Sequence, residues 1–125
     1  MSAQSRSLLK SVPSHGDASE ELALLLQAVK QVRANPGLSP RTAKLIAGGT
    51  PKMAQKLVEE AAEVAIEAVR GDRATTINEA ADLLYNLTVL LSELDIDPSD
   101  VWAEMARRRE RLGMAEKLPK VGKPE

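Results

Sequence analysis

The chain has 125 residues, 17 basic against 18 acidic, one His, no Cys and a formal net charge of -1. The absence of Cys excludes a disulfide scaffold, a Cys-ligated zinc or iron–sulfur site and thiol catalysis. The balanced charge argues against a generally basic nucleic-acid binder, and the length suits one domain whose modest core a partner subunit can complete.

Two aromatics, Tyr85 and Trp102, against eighteen Ala and seventeen Leu make a poor β-sandwich and point instead to packed helices. No apolar run is long enough to span a membrane. The N-terminus has Arg6 and Lys10 but no long apolar stretch or cleavage signal. The expectation is a cytoplasmic helical protein.

In chain order, residues 1–17 are Ser-rich with Pro13 and Gly16 and read as a mobile arm, with His15 facing solvent. A first helix is predicted from about Ser19, with Glu20 and Glu21 in the turn where the helix dipole favours acids. Leu22, Leu25, Leu26, Val29 and Val32 give it a buried face, and Asn35-Pro36-Gly37 ends it. Pro40 to Ile46 reads as a short second helix, and Gly48-Gly49-Thr50-Pro51 as a break. Thr50 can cap and Pro51 fits a first helical position, so a third helix is predicted from Pro51 to Val69. Its expected apolar stripe is Met53, Leu57, Ala61, Val64 and Ala68.

Gly71-Asp72 closes that helix, and a fourth runs from Arg73–Thr76 to about Leu94. Leu83, Leu84, Leu87, Val89, Leu90, Leu91 and Leu94 make it apolar nearly all round, which predicts a central position covered on several sides by elements of this chain or of another. Asp97-Pro98-Ser99 opens a fifth helix carrying Val101, Trp102 and Met105, then Arg107, Arg108, Arg109 and Arg111. The expected organisation is one helical-bundle domain over 18–118 with a tail at 119–125.

Any chemistry is expected in two acidic segments, Glu59-Glu60-Ala61-Ala62-Glu63 and Glu79-Ala80-Ala81-Asp82, the alternative being ordinary solvated acids paired with Lys56 and Arg70. Residues three apart on a helix are separated by about 60° around the axis. Glu60 with Glu63, and Glu79 with Asp82, therefore project side by side among mostly apolar neighbours. Carboxylates on packing faces are costly unless something positive meets them, and a bound divalent cation is the simple remedy. Mg2+ suits such a site because it takes hard oxygens and bridges carboxylates to phosphates. Residues 59–100 hold eleven acids against Arg70 and Arg73, whereas residues 107–125 hold seven bases against three acids. An acidic cleft with a basic rim suits a phosphorylated substrate.

KLVEEAAE at 56–63, EAADLLYNL at 79–87, TAKLIAGG at 42–49 and GMAEK at 113–117 resemble the phosphoribosyl-ATP pyrophosphatase family. That family lies within the all-alpha, MazG-like nucleoside triphosphate pyrophosphohydrolase superfamily, and the likeness covers roughly residues 20–120. The resemblance implies an all-α bundle completed by homodimerisation, with each site closed by both subunits. It implies Mg2+, with Mn2+ as a substitute, on Glu60, Glu63, Glu79 and Asp82, with Glu59 either as a further ligand or, as an alternative to Glu63, orienting the attacking water. It also implies substrate-binding roles for Lys44, Lys56, Asn86, Arg109 and Lys117. The reaction implied is hydrolysis of phosphoribosyl-ATP to phosphoribosyl-AMP and pyrophosphate, a step of histidine biosynthesis, without nucleic-acid or membrane partners.

Four positions depart from the family pattern: Val58 stands for Gly, Arg41 lies near a usual Tyr, Asn86 stands for His and Leu112 for Ser. All four fall where nucleotide or ribose-phosphate contacts are expected, while the metal positions are intact. Two alternatives therefore stay open, a related hydrolase of other nucleoside triphosphates and a noncatalytic helical assembly protein.

Overall fold

The computed structural model describes residues 17–111. His15, Leu112 and Lys117, with nearly all of the N-terminal arm and the whole tail, lie outside the described residues. Four helices follow in chain order: α1 (Ala18–Ala34), α2 (Pro40–Arg70), α3 (Arg73–Glu93) and α4 (Pro98–Arg111), with a 3-10 turn at Pro36–Leu38. The expected all-α architecture is the one found, and none of these helices is long and apolar enough to cross a membrane.

Each helix start has a polar cap that relieves unpaired backbone N–H groups. Asp17 accepts from the Glu20 N–H at 2.7 Å, Ser39 from Thr42 at 3.3 Å, Asp72 from Thr75 at 3.0 Å, and Asp97 from Ser99 at 2.8 Å. Asp17 rather than Ser19 caps α1, because its carboxylate reaches both the Glu20 N–H and the Ser19 hydroxyl. Gly71, at φ 78°, ends α2 in the left-handed region that glycine enters without a Cβ clash, and Asp72 at once begins α3. The result is a tight α2–α3 hairpin, the most extensive helix pairing in the molecule.

The expected break near residue 49 is present as a kink within α2. Gly49 has φ 74° and ψ −174°, a combination essentially confined to glycine. Pro51 follows, and its missing N–H makes an interrupted helical ladder tolerable there. The kink lets the first part of α2 and the part beyond it enter one core. Val29, Leu45, Met53 and Val89 are buried together, with Leu25, Ile46, Tyr85 and Leu90 packed around them.

One expectation about packing is corrected. Beyond Met53 the inward face of α2 is not the stripe through Ala61 and Ala68, which are both exposed; Glu60 is the buried residue, with Leu57 and Val64 half-buried. Alanine removes too little apolar area from water to set a helix's rotation, so the larger Met53 and Val64 decide it. Within this chain α3 is covered on part of its circumference by α1 and α2, with Leu84 and the capping Leu94 exposed. No residue of α2 is buried beyond Glu60 and none of α3 before Asn86, so the turn end of the hairpin lacks a third layer among the described residues.

Replacing Gly49 by Ala should cost about 1–3 kcal/mol of stability, because the side chain is forced into a glycine-only conformation. Urea denaturation of the two proteins measures the difference, and equal midpoints would show that the kink relaxes without strain.

Candidate metal and phosphate site

The α2–α3 hairpin brings three of the four expected metal ligands together. Carboxylate oxygens of Glu60, Glu79 and Asp82 lie within 4.8 Å of one another. Glu60 comes from the α2 face turned inward after Met53, while Glu79 and Asp82 come from successive turns of α3. Local helix geometry pairs Glu79 with Asp82, and the hairpin supplies Glu60.

Glu60 is only 7% exposed, and its Oε2 is buried with no hydrogen-bond partner. Its nearest countercharge is the Lys56 ammonium, 3.9 Å from Oε1. A carboxylate withdrawn from water with one oxygen unpaired, facing two more carboxylates, is costly in the protein alone. The donor set is all hard oxygen. Both features fit a divalent cation of the Mg2+ type better than zinc or a soft metal.

The fourth expected ligand, Glu63, sits beside this trio rather than in it. It is exposed, and a hydrogen bond shared with Glu79, reinforced by that residue's negative charge, raises its carboxyl above the ordinary value. Glu59 is drawn to the other side. The Gln55 amide donates to it at 3.1 Å and Lys56 lies 3.5 Å away, and the hydrogen bond, followed by the lysine charge, lowers its pKa.

A groove of about 260 Å3 adjoins the acids. Arg41, Lys44, Lys52, Lys56, Tyr85 and Asn86 line it, over a floor that includes Leu45. It is continuous with the acidic cluster through three contacts: Arg41 to Asp82 at 3.3 Å, Lys56 to Glu60, and the Asn86 amide donating to the Asp82 carbonyl at 2.8 Å. Asn86 is almost wholly buried and its Oδ1 has no partner. Four cationic side chains on one wall and three carboxylates on the next can receive a polyphosphate and the cation that accompanies it.

Of the expected substrate-binding residues, Lys44, Lys56 and Asn86 therefore meet here. Arg109 does not line the groove: it is exposed on α4, a helix that packs mainly on α1. The neighbouring Arg107 and Arg108 both pair with Glu104 on their own helix. Lys117 lies outside the described residues.

Two groove residues, Arg41 and Lys52, were not among the expected ligands. Their spacing carried a signal, since Arg41 with Lys44 and Lys52 with Lys56 are each one helical turn apart. What joins the two pairs is the Gly48-Gly49 break. A Cβ on Gly48 would come within 2.8 Å of the Lys52 side-chain stem, so glycine there leaves that stem its place.

Residues 20–109 match the family model described as phosphoribosyl-ATP pyrophosphohydrolase. A protein of Rhodopseudomonas palustris named phosphoribosyl-ATP pyrophosphatase 2 is 54% identical over 107 residues, covering 84% of this chain and 82% of that one. A protein of the same name in Bradyrhizobium diazoefficiens is 52% identical over 102 residues, covering 82% of this chain and 76% of the relative. The phosphoribosyl-ATP pyrophosphatase of Azospirillum brasilense is 47% identical over 98 residues, covering 76% and 88%.

Glu79→Gln removes one of the facing charges and keeps the side chain's shape. In chelator-treated protein this variant should melt a few degrees higher than the wild type, because like charges at short range oppose folding. Scanning calorimetry checks it; a lower midpoint would mean that Glu79 is favourably paired in the folded protein.

Proposed function

This chain belongs to the phosphoribosyl-ATP pyrophosphohydrolase family, and we propose that it hydrolyses phosphoribosyl-ATP with Mg2+ held by Glu60, Glu79 and Asp82. The products are phosphoribosyl-AMP and pyrophosphate, the reaction that its relatives' names denote and a step of histidine biosynthesis. The observation that carries the metal reading is the buried, unpartnered Glu60 oxygen facing two further carboxylates. Mg2+ bound there supplies charge neutralisation at the phosphates and acidifies a bound water.

The protein's own groups do the rest. Lys44, Lys52 and Lys56 hold phosphate oxygens along the groove and offset the charge that develops on the leaving pyrophosphate. Glu63 is the better of the two expected water-orienting acids. It touches Glu79 at the edge of the trio, whereas Glu59 is engaged with Gln55 and Lys56. As the water's oxygen bonds to phosphorus, its proton passes to a Glu63 oxygen and the bond to the bridging oxygen of the α–β anhydride breaks. Asn86 helps close the groove wall.

The same reading extends to assembly. Val58, Ile66, Val69, Ile77 and Leu84 are exposed on the hairpin's uncovered part, Val69 to 89% and Val58 to 68%. A second copy of the chain is the partner that covers this apolar surface. Arg109, exposed on α4, would belong to a site completed across that boundary.

Purified protein should release pyrophosphate from phosphoribosyl-ATP only with Mg2+ present. Glu79→Gln should abolish the release, and Glu63→Gln should lower kcat by about 10²–10⁴-fold. Equal turnover by Glu63→Gln would remove it as the base, and turnover in chelator would remove the metal. Ile66→Asp should shift the sedimentation profile toward monomer; an unchanged dimer would place the contact on another face.

A further inference from the structure

Arg41 is the one groove residue whose charge already lies against the three-carboxylate trio from the α3 side. Its Nη2 lies 3.3 Å from Asp82 Oδ1, and its guanidinium carbon is 4.4 Å from the centre of the Tyr85 ring. The two holds differ in kind. The ion pair is long for a charge-assisted bond, and its side chains are 63% and 31% exposed, so it is weak and easily exchanged. The ring is a fixed platform: the Tyr85 hydroxyl is hydrogen-bonded to that of Thr42 at 2.7 Å, and Thr42 is buried. Arg41 itself starts from the first turn of α2, anchored by the Ser39 cap and Pro40.

A guanidinium can slide across an aromatic face while keeping its cation–π attraction. It can therefore turn from Asp82 toward the groove, where Lys44, Lys52 and Lys56 also stand. Without an anion, four cations converging there repel one another, and Asp82 offsets one of them. With a phosphate in the groove, the balance reverses and Asp82 is released.

We propose that Arg41 is a displaceable counter-ion, pairing with Asp82 in the free protein and passing to a substrate phosphate when a divalent cation takes the carboxylate. This rests on the metal reading given above. Its consequence is coupling: the cation binds more tightly once an anion has drawn Arg41 away, and by reciprocity the anion binds more tightly once the cation has displaced it. An exposed ion pair of this kind corresponds to a coupling of about two- to five-fold.

The test is calorimetric titration of Mg2+ into the full chain, wild type and Arg41→Gln, each alone and with saturating inorganic phosphate. Beside it, KM for phosphoribosyl-ATP is measured at saturating Mg2+. Arg41→Gln should bind Mg2+ about two- to five-fold more tightly than wild type without phosphate, and phosphate should tighten its Mg2+ binding less. Its KM should rise. These opposite movements separate the proposal from a structural role, since general damage to the site weakens both ligands. Mg2+ affinity unchanged or weakened in Arg41→Gln overturns the counter-ion and leaves the metal site standing. Tighter Mg2+ binding with an unchanged KM overturns the transfer to phosphate. Absence of Mg2+ binding in both proteins overturns the proposal together with the metal reading.

Discussion

A carboxylate withdrawn from water with one oxygen unpaired is the constraint around which this molecule is arranged. Glu60 occupies a position on α2 where a leucine or methionine would serve the core better. Its neighbours Glu79 and Asp82 add to the electrostatic cost. Lys56 and Arg41 each reach one member of the trio from the side, at distances too long and positions too exposed to neutralise it. The fold thus holds an unfavourable cluster ready for a cation, and the stability needed to hold it comes from elsewhere in the chain.

That stability is concentrated at one end of the hairpin. Met53, Val29, Leu45 and Val89 form a compact core beneath the kink, and Asn86 and Thr88 satisfy their amide and hydroxyl donors on carbonyls of their own helix. The acidic trio lies where this core gives way to the uncovered part of the hairpin. Site and uncovered apolar face are consequently carried by the same two helices, facing different ways. A second copy that covers Val58, Ile66 and Val69 would stiffen the helices that present Glu60 and Glu79, and assembly and chemistry would then share a scaffold.

The kink at Gly49 connects these features to the groove. Without a left-handed residue there, α2 would continue straight and the two basic pairs would fall along one rod. With it, Arg41 and Lys44 approach the groove from the stretch before the kink, and Lys52 and Lys56 from the stretch after it. Gly48 leaves room for the Lys52 stem, so two adjacent glycines serve different ends, one conformational and one steric.

Much of this was legible in the chain itself. Caps, prolines and glycines are local signals, and they located the helices, the break near residue 49 and the turn at Gly71-Asp72 because backbone conformation there depends on a few neighbouring residues. The pairing of Glu79 with Asp82 followed from the same local geometry. What only the tertiary structure decided was rotation and partnership. It turned α2 so that Glu60 is buried and Ala61 is exposed, set Glu63 beside the trio, and drew Glu59 off to Gln55 and Lys56. It also brought Arg41 across forty-one positions of sequence to Asp82, and over the ring of Tyr85. Those outcomes depend on which large side chains fill the space between helices, a balance summed over residues distant in the chain. Spacing along one helix carries no record of that sum.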